Sequence, residues 1–231
     1  MMNKAVQSMS FALGLALIAF VLGGCDLGLG GTSAQRPGSD VPPAAKVGAP
    51  RVVAESRDAY FKETGQVLGQ PFLAYWEEHG GVAVFGYPIS NRLLETAEDN
   101  GEEYTVKYFE RARFELHRAT GNKVILGRLG AILRRTERPA APLPGAMYFA
   151  ETGHNLSGPF LKFWNEHGGL EIFGYPITEE RAERHPVDGK DYKVQYFERT
   201  KFELHPEFAG TSFEVQLGLL GTQLYQQKYG H

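Results

Sequence analysis

Most of the second half of this chain restates the first. Tyr60-Phe61-x-Glu63-Thr64-Gly65 returns as Tyr148-Phe149-x-Glu151-Thr152-Gly153, and PFLAYWEEHGG at Pro71 to Gly81 returns as PFLKFWNEHGG at Pro159 to Gly169. FGYPI at Phe85 matches Phe173, and YFERARFELH at Tyr108 matches YFERTKFELH at Tyr196. Each partner lies about 88 positions on, so one supersecondary unit is used twice and any proposed chemistry must account for both copies. That favours a binding or spacing module over an enzyme with a single site.

Within a copy, Pro71 or Pro159 suits the first turn of a helix, where its missing amide proton would be unbonded anyway. Ser157 offers an N-cap in the second copy, and Gly69 takes that place in the first. Phe72, Leu73 and Trp76, with Phe160, Leu161 and Trp164, fall three and four apart, as one face of a short amphipathic helix does. Gly80-Gly81 and Gly168-Gly169 predict its end. Alternation through Tyr104, Val106 and Tyr108, then Phe114 to His117 after a tight Glu110-Arg111 connection, predicts a β-hairpin, repeated over Tyr192 to His205. The expected fold class is therefore α+β, two tandem repeats of a short helix plus a hairpin. Repeat 1 spans 57–137, a Pro/Ala linker 138–146, and repeat 2 147–231.

The segment FGYPIS…YTVKYFERARFELH resembles the LGFP repeat of secreted and wall-associated bacterial proteins. Phe85-Gly86-Tyr87-Pro88 and Phe173-Gly174-Tyr175-Pro176 stand in the motif position, with phenylalanine for leucine and a longer unit. The resemblance covers both copies and implies an extracytoplasmic, wall-attaching role.

The N-terminus agrees with that location. Lys4 precedes the apolar run Phe11 to Leu22, which is too short to span a bilayer and reads as an export signal. Leu22-Gly23-Gly24-Cys25 resembles a lipobox, implying removal of residues 1–24 and lipidation of Cys25, the one cysteine of the chain. The alternative is an ordinary cleaved signal with a stray cysteine. Two or three acyl chains anchor durably where one does not, and Asp26 resembles a signal for retention at an inner membrane. Residues 25–56, rich in Gly, Pro, Ser and Ala, cannot bury enough apolar surface to offset ordering and read as a disordered tether.

The formal net charge of −3, without a basic stripe, argues against a nucleic-acid partner. No metal-binding spacing, cofactor motif, triad or phosphate loop occurs, and His79, His117, His167 and His205 read as caps at element ends. Glu110, Arg111, Glu198 and Arg199 are candidates for a polar site between the repeats, with a structural ion pair as the plainer reading. Tyr87, Tyr108, Tyr175 and Tyr196 are candidate platforms for a cell-wall or surface glycan. Trp76 and Trp164 read as core. The expected function is a lipid-anchored, non-catalytic binding or spacer module, with a cell-wall hydrolase acting between the repeats as the alternative.

Overall fold

The computed structural model describes residues 59–96, 101–117, 121–185 and 188–230, and the backbone of 51–53. Cys25, the signal and most of the tether lie outside them. Within the described residues the protein is α+β.

The first half begins with β1 (Arg51–Val53), then a two-stranded ribbon of β2 (Ala59–Phe61) and β3 (Gln66–Leu68). Helices α1 (Phe72–Glu78) and α2 (Gly81–Phe85) follow, then strands β4 (Arg92–Thr96), β5 (Glu103–Tyr108), β6 (Arg113–Leu116) and β7 (Val124–Leu126), then α3 (Leu129–Leu133). The second half has the ribbon β8 (Met147–Phe149) and β9 (His154–Leu156), and helices α4 (Gly158–Glu166) and α5 (Gly169–Ile172). It continues with β10 (Arg181–Arg184), β11 (Asp191–Tyr196), β12 (Lys201–Leu204) and β13 (Val215–Leu217), and ends with α6 (Leu220–Tyr229). The antiparallel sheets run β1-β4-β5-β6-β7 and β10-β11-β12-β13.

Several elements differ from the sequence reading. Gly80 and Gly168 do not end the helical region: at φ of 102° and 98° they break it, and a second short helix starts directly after each. Only glycine enters that conformation without cost, while the apolar run behind it turns inward as Val84 and Phe85 or Ile172. Ser157 makes no side-chain cap bond to its helix. The central strand pairs, with Lys107 opposite Phe114 and Gln195 opposite Phe202, are flanked by further strands rather than standing as isolated hairpins. Arg51–Val53, assigned to the tether from composition, is an edge strand paired with β4.

Phenylalanines build the core. Phe114 meets Phe85 edge-on at 4.8 Å, and Phe202 meets Phe173 in the same way at 4.9 Å. Phe72, Phe109, Phe160 and Phe197 complete one continuous cluster drawn from both halves. Each such ring contributes roughly 1.5–3 kcal/mol by leaving water.

The helices that follow the sheets each reach the turn of the other half. The Ala131 amide of α3 donates to the Glu198 carbonyl at 3.0 Å, and the Thr222 amide of α6 donates to the Glu110 carbonyl at 3.0 Å. Leu220 and Leu224 join Leu93, Val106, Tyr108 and Leu129 in a second cluster, so α6 finishes the first half's core. The Pro/Ala segment lies along the second half: Asn155 donates to the Ala141 carbonyl and accepts from the Leu143 amide.

Candidate functional site

The Glu-Arg turns hold the backbone together. The Tyr87 amide donates to the Glu110 carboxylate at 3.0 Å, and the Tyr175 amide to Glu198 at 3.2 Å, stapling each Gly-Tyr-Pro turn to the bend between the central strands. Arg111 Nε donates across to the Leu217 carbonyl at 3.1 Å, and Arg128 pairs with Glu198 at 2.6 Å. Glu110, Arg111, Glu198 and Arg199 thus sit where the halves meet, with Glu110 and Glu198 each holding its own turn and Glu198 also paired with Arg128.

The four candidate tyrosines have different surroundings. Tyr108 is 0% exposed, because β5 turns it under α6, and it is therefore core rather than a glycan platform. Tyr87 and Tyr175 are half-buried against Phe61 and Phe149. Tyr196 donates to Glu183 at 3.0 Å, with Arg134, Arg181 and Lys201 ranged over its ring. Burial and the nearby Glu183 raise its phenol to about 12. Trp76 and Trp164 are half-buried braces, not enclosed core, and their indoles donate to the Gly86 and Gly174 carbonyls at 3.0 and 3.1 Å. His79 and His167 bond the Tyr75 and Phe163 carbonyls through Nδ1, the capping role expected at these helix ends.

A cavity of about 710 Å³ opens instead where β5, β6 and β7 meet α3, Arg199 and α6. Ile125, Leu126, Ile132 and Leu224 give it apolar walls, and Tyr104 stands beside them, stacked on His117 at 4.6 Å. Behind the wall runs a chain of charges. Lys228, Tyr108 and Tyr229 donate to Glu95 at 2.5, 2.7 and 2.8 Å, and Arg113 joins Glu95 to Glu115, which also meets His117 at 2.8 Å. Burial would raise the Glu95 carboxyl, but the hydrogen bonds from Lys228 and Tyr108 and the charge of Arg113 outweigh it and hold it below its ordinary value. For Arg113 burial works against the charge, yet Glu115 and the other facing groups keep it firmly protonated.

The corresponding place in the second half is closed. Tyr192 and His205 pack at 4.2 Å as Tyr104 and His117 do, but they are 5% and 8% exposed. A 3₁₀ turn at Pro206–Phe208 follows His205 directly, and Glu207 accepts from the Tyr192 hydroxyl and meets His205 Nδ1. This turn belongs to an insertion of a few residues, visible in the sequence where the spacing of matched residues widens between His117/His205 and Leu126/Leu217. Emphasis on identities between the copies passed over that difference, and with it Tyr104, Arg128 and Lys228.

The Glu95 carboxyl is held below its ordinary value, Glu115 is engaged by Arg113, and the lining hydroxyls are those of Thr96 and Tyr104. Among the described residues no group of three or more His, Cys, Asp or Glu is arranged to hold a metal, and no helix is long and apolar enough to cross a membrane. Compared with protein-family models, curated proteins and solved structures, the chain matches none.

Proposed function

We propose that this protein is a lipid-anchored, extracytoplasmic binding module, held to the membrane through Cys25, that contacts cell-wall or surface glycan without turning it over. Its folded part is two tandem repeats, each an amphipathic helix region followed by strands around a central hairpin. The observation that supports binding most is the cavity beside Tyr104: apolar walls, one ring, and a few polar groups already ordered by their own partners, the usual make-up of a site for a small ring-bearing ligand. The backbone bonds between the halves, and α6 completing the first half's core, support two repeats acting together.

The hydrolase alternative calls for a carboxyl kept protonated near a second, ionised one. Arg113 joins Glu95 to Glu115, and Glu95 is held below its ordinary value, which supports binding over that chemistry. Incubating the full chain in non-ionic detergent with purified cell wall tests the reading. Pelleting with the wall without release of soluble sugar or peptide is expected, and steady release of fragments would reject it.

A further inference from the structure

We infer that the cavity beside Tyr104 takes a saccharide carrying a carboxylate, with the sugar ring against Tyr104 and the carboxylate at Arg199 and Arg128. This rests on the glycan-binding reading and adds the charge of the ligand.

Charge pairing carries the argument. Arg113, Arg128, Arg199 and Lys228 line the cavity. The carboxylates bonded to them are Glu95, Glu115 and Glu198, one fewer than the cations. Lys228 is taken by Glu95, Arg113 by Glu115 and Glu95, and Arg128 by Glu198. Arg199 donates to the Leu170 carbonyl at 3.2 Å and meets its nearest carboxylate, Glu198, only at 3.9 Å, in a protein whose formal net charge is −3.

Its counterpart shows what is missing. Arg111 donates through Nε to the Leu217 carbonyl, whereas Arg199 Nε is buried with no hydrogen-bond partner. Burying a cationic donor unpaired is costly, and an anion at the same guanidinium offsets that cost. Arg128, 62% exposed at the mouth, commits one nitrogen to Glu198 and retains others. A planar carboxylate fits the donor fork of arginine in two-point fashion. Among the described residues that line the cavity the cations exceed their bonded carboxylates by one, which matches a carboxylate better than a phosphate monoester carrying roughly −1.5 to −2.

The test uses the full chain in non-ionic detergent, titrated with a glucuronate-containing tetrasaccharide, its neutral glucose counterpart and a phosphorylated form. The acidic sugar should bind roughly tenfold or more tighter than the neutral one, the scale of one charge-assisted hydrogen bond. That preference should shrink in high salt and disappear in Arg199→Gln, which should bind the acidic sugar no tighter than the neutral one. Arg128→Gln, at an exposed position, should lower the preference in part and serves if Arg199→Gln does not fold. Equal binding of acidic and neutral sugars overturns the inference and leaves the glycan reading standing. Preference for the phosphorylated form overturns the carboxylate assignment. Pelleting with cell wall without binding of any of the three sugars overturns the inference, and failure to pellet removes the reading beneath it.

Discussion

Gly221, in the first turn of α6, lies directly against the backbone carbonyl of Phe109 in the other half, leaving no room for a Cβ. Gly130 of α3 meets the Phe197 carbonyl in the same way. In an ordinary exposed helix Gly→Ala stabilises by about 1 kcal/mol through helix propensity. Here the obstacle is backbone, which cannot rotate away, so Gly221→Ala and Gly130→Ala should each destabilise by about 1–3 kcal/mol. Urea midpoints decide the sign, and a stabilised Gly221→Ala would mean that this packing between the halves does not exist in solution.

Glu95 ties α6 to the first sheet. It receives Lys228, Tyr108, Tyr229 and Arg113, and its carboxyl is held below the ordinary value. A carboxyl depressed in the folded state contributes stability that is fully present above its unfolded value of about 4.3 and is lost as pH falls through the lower folded value. Melting temperature should therefore decline below about pH 4.3. Glu95→Gln should cost about 3 kcal/mol at pH 7, by removing the buried charge that Lys228 and Arg113 share, and should flatten the acid limb. An unchanged acid limb in that variant would place the pH sensitivity elsewhere.

Trp76 covers Gly81 and donates to the Gly86 carbonyl, and Trp164 repeats this over Gly169 and Gly174. Trp76→Ala should destabilise by about 3 kcal/mol, the low end for aromatic truncation because the ring is only half-buried. Trp76→Phe keeps much of the packing and should lose about 1 kcal/mol for the missing hydrogen bond. Thermal melts that rank the two equally would show that packing alone matters.

The periodic signals in the sequence marked the regions of α1, α4 and the central strand pairs, because a buried face forces a spacing on its residues. The short helices α2 and α5 were hidden, since a short, mostly apolar stretch after a glycine looks the same in helix or strand. The reach of α3 and α6 to the other half's turn was also unreadable. It depends on which copy's turn accepts Ala131 or Thr222, and the two copies present nearly the same turn sequence. For the candidate site, the identical residues between copies proved to be largely those that fold each unit, as Glu110 and Glu198 do. The cavity arises where the copies differ, through the insertion that shelters Tyr192 but not Tyr104.

The proposed anchoring rests on Leu22-Gly23-Gly24-Cys25, outside the described residues. Cys25→Ser should abolish incorporation of labelled fatty acid and leave the unprocessed chain to accumulate. Equal labelling of the variant would remove the anchor.

The open and closed tyrosines make opposite predictions for equivalent substitutions. Tyr104 is half-buried at the cavity, whereas Tyr192 is enclosed by the turn at Pro206–Phe208 and hydrogen-bonded to Asp188 and Glu207. Tyr192→Ala removes a ring from the interior and should cost about 3 kcal/mol of stability. Binding by the fraction that remains folded should be unchanged. Tyr104→Ala should lose far less stability yet cut wall pelleting roughly tenfold or more, as truncation of an aromatic anchor at a binding centre does. Pelleting measured well below both melting temperatures separates the two effects. If Tyr104→Ala pellets like the unaltered protein and Tyr192→Ala does not, the functional surface belongs to the second half and the open cavity of the first is not the site.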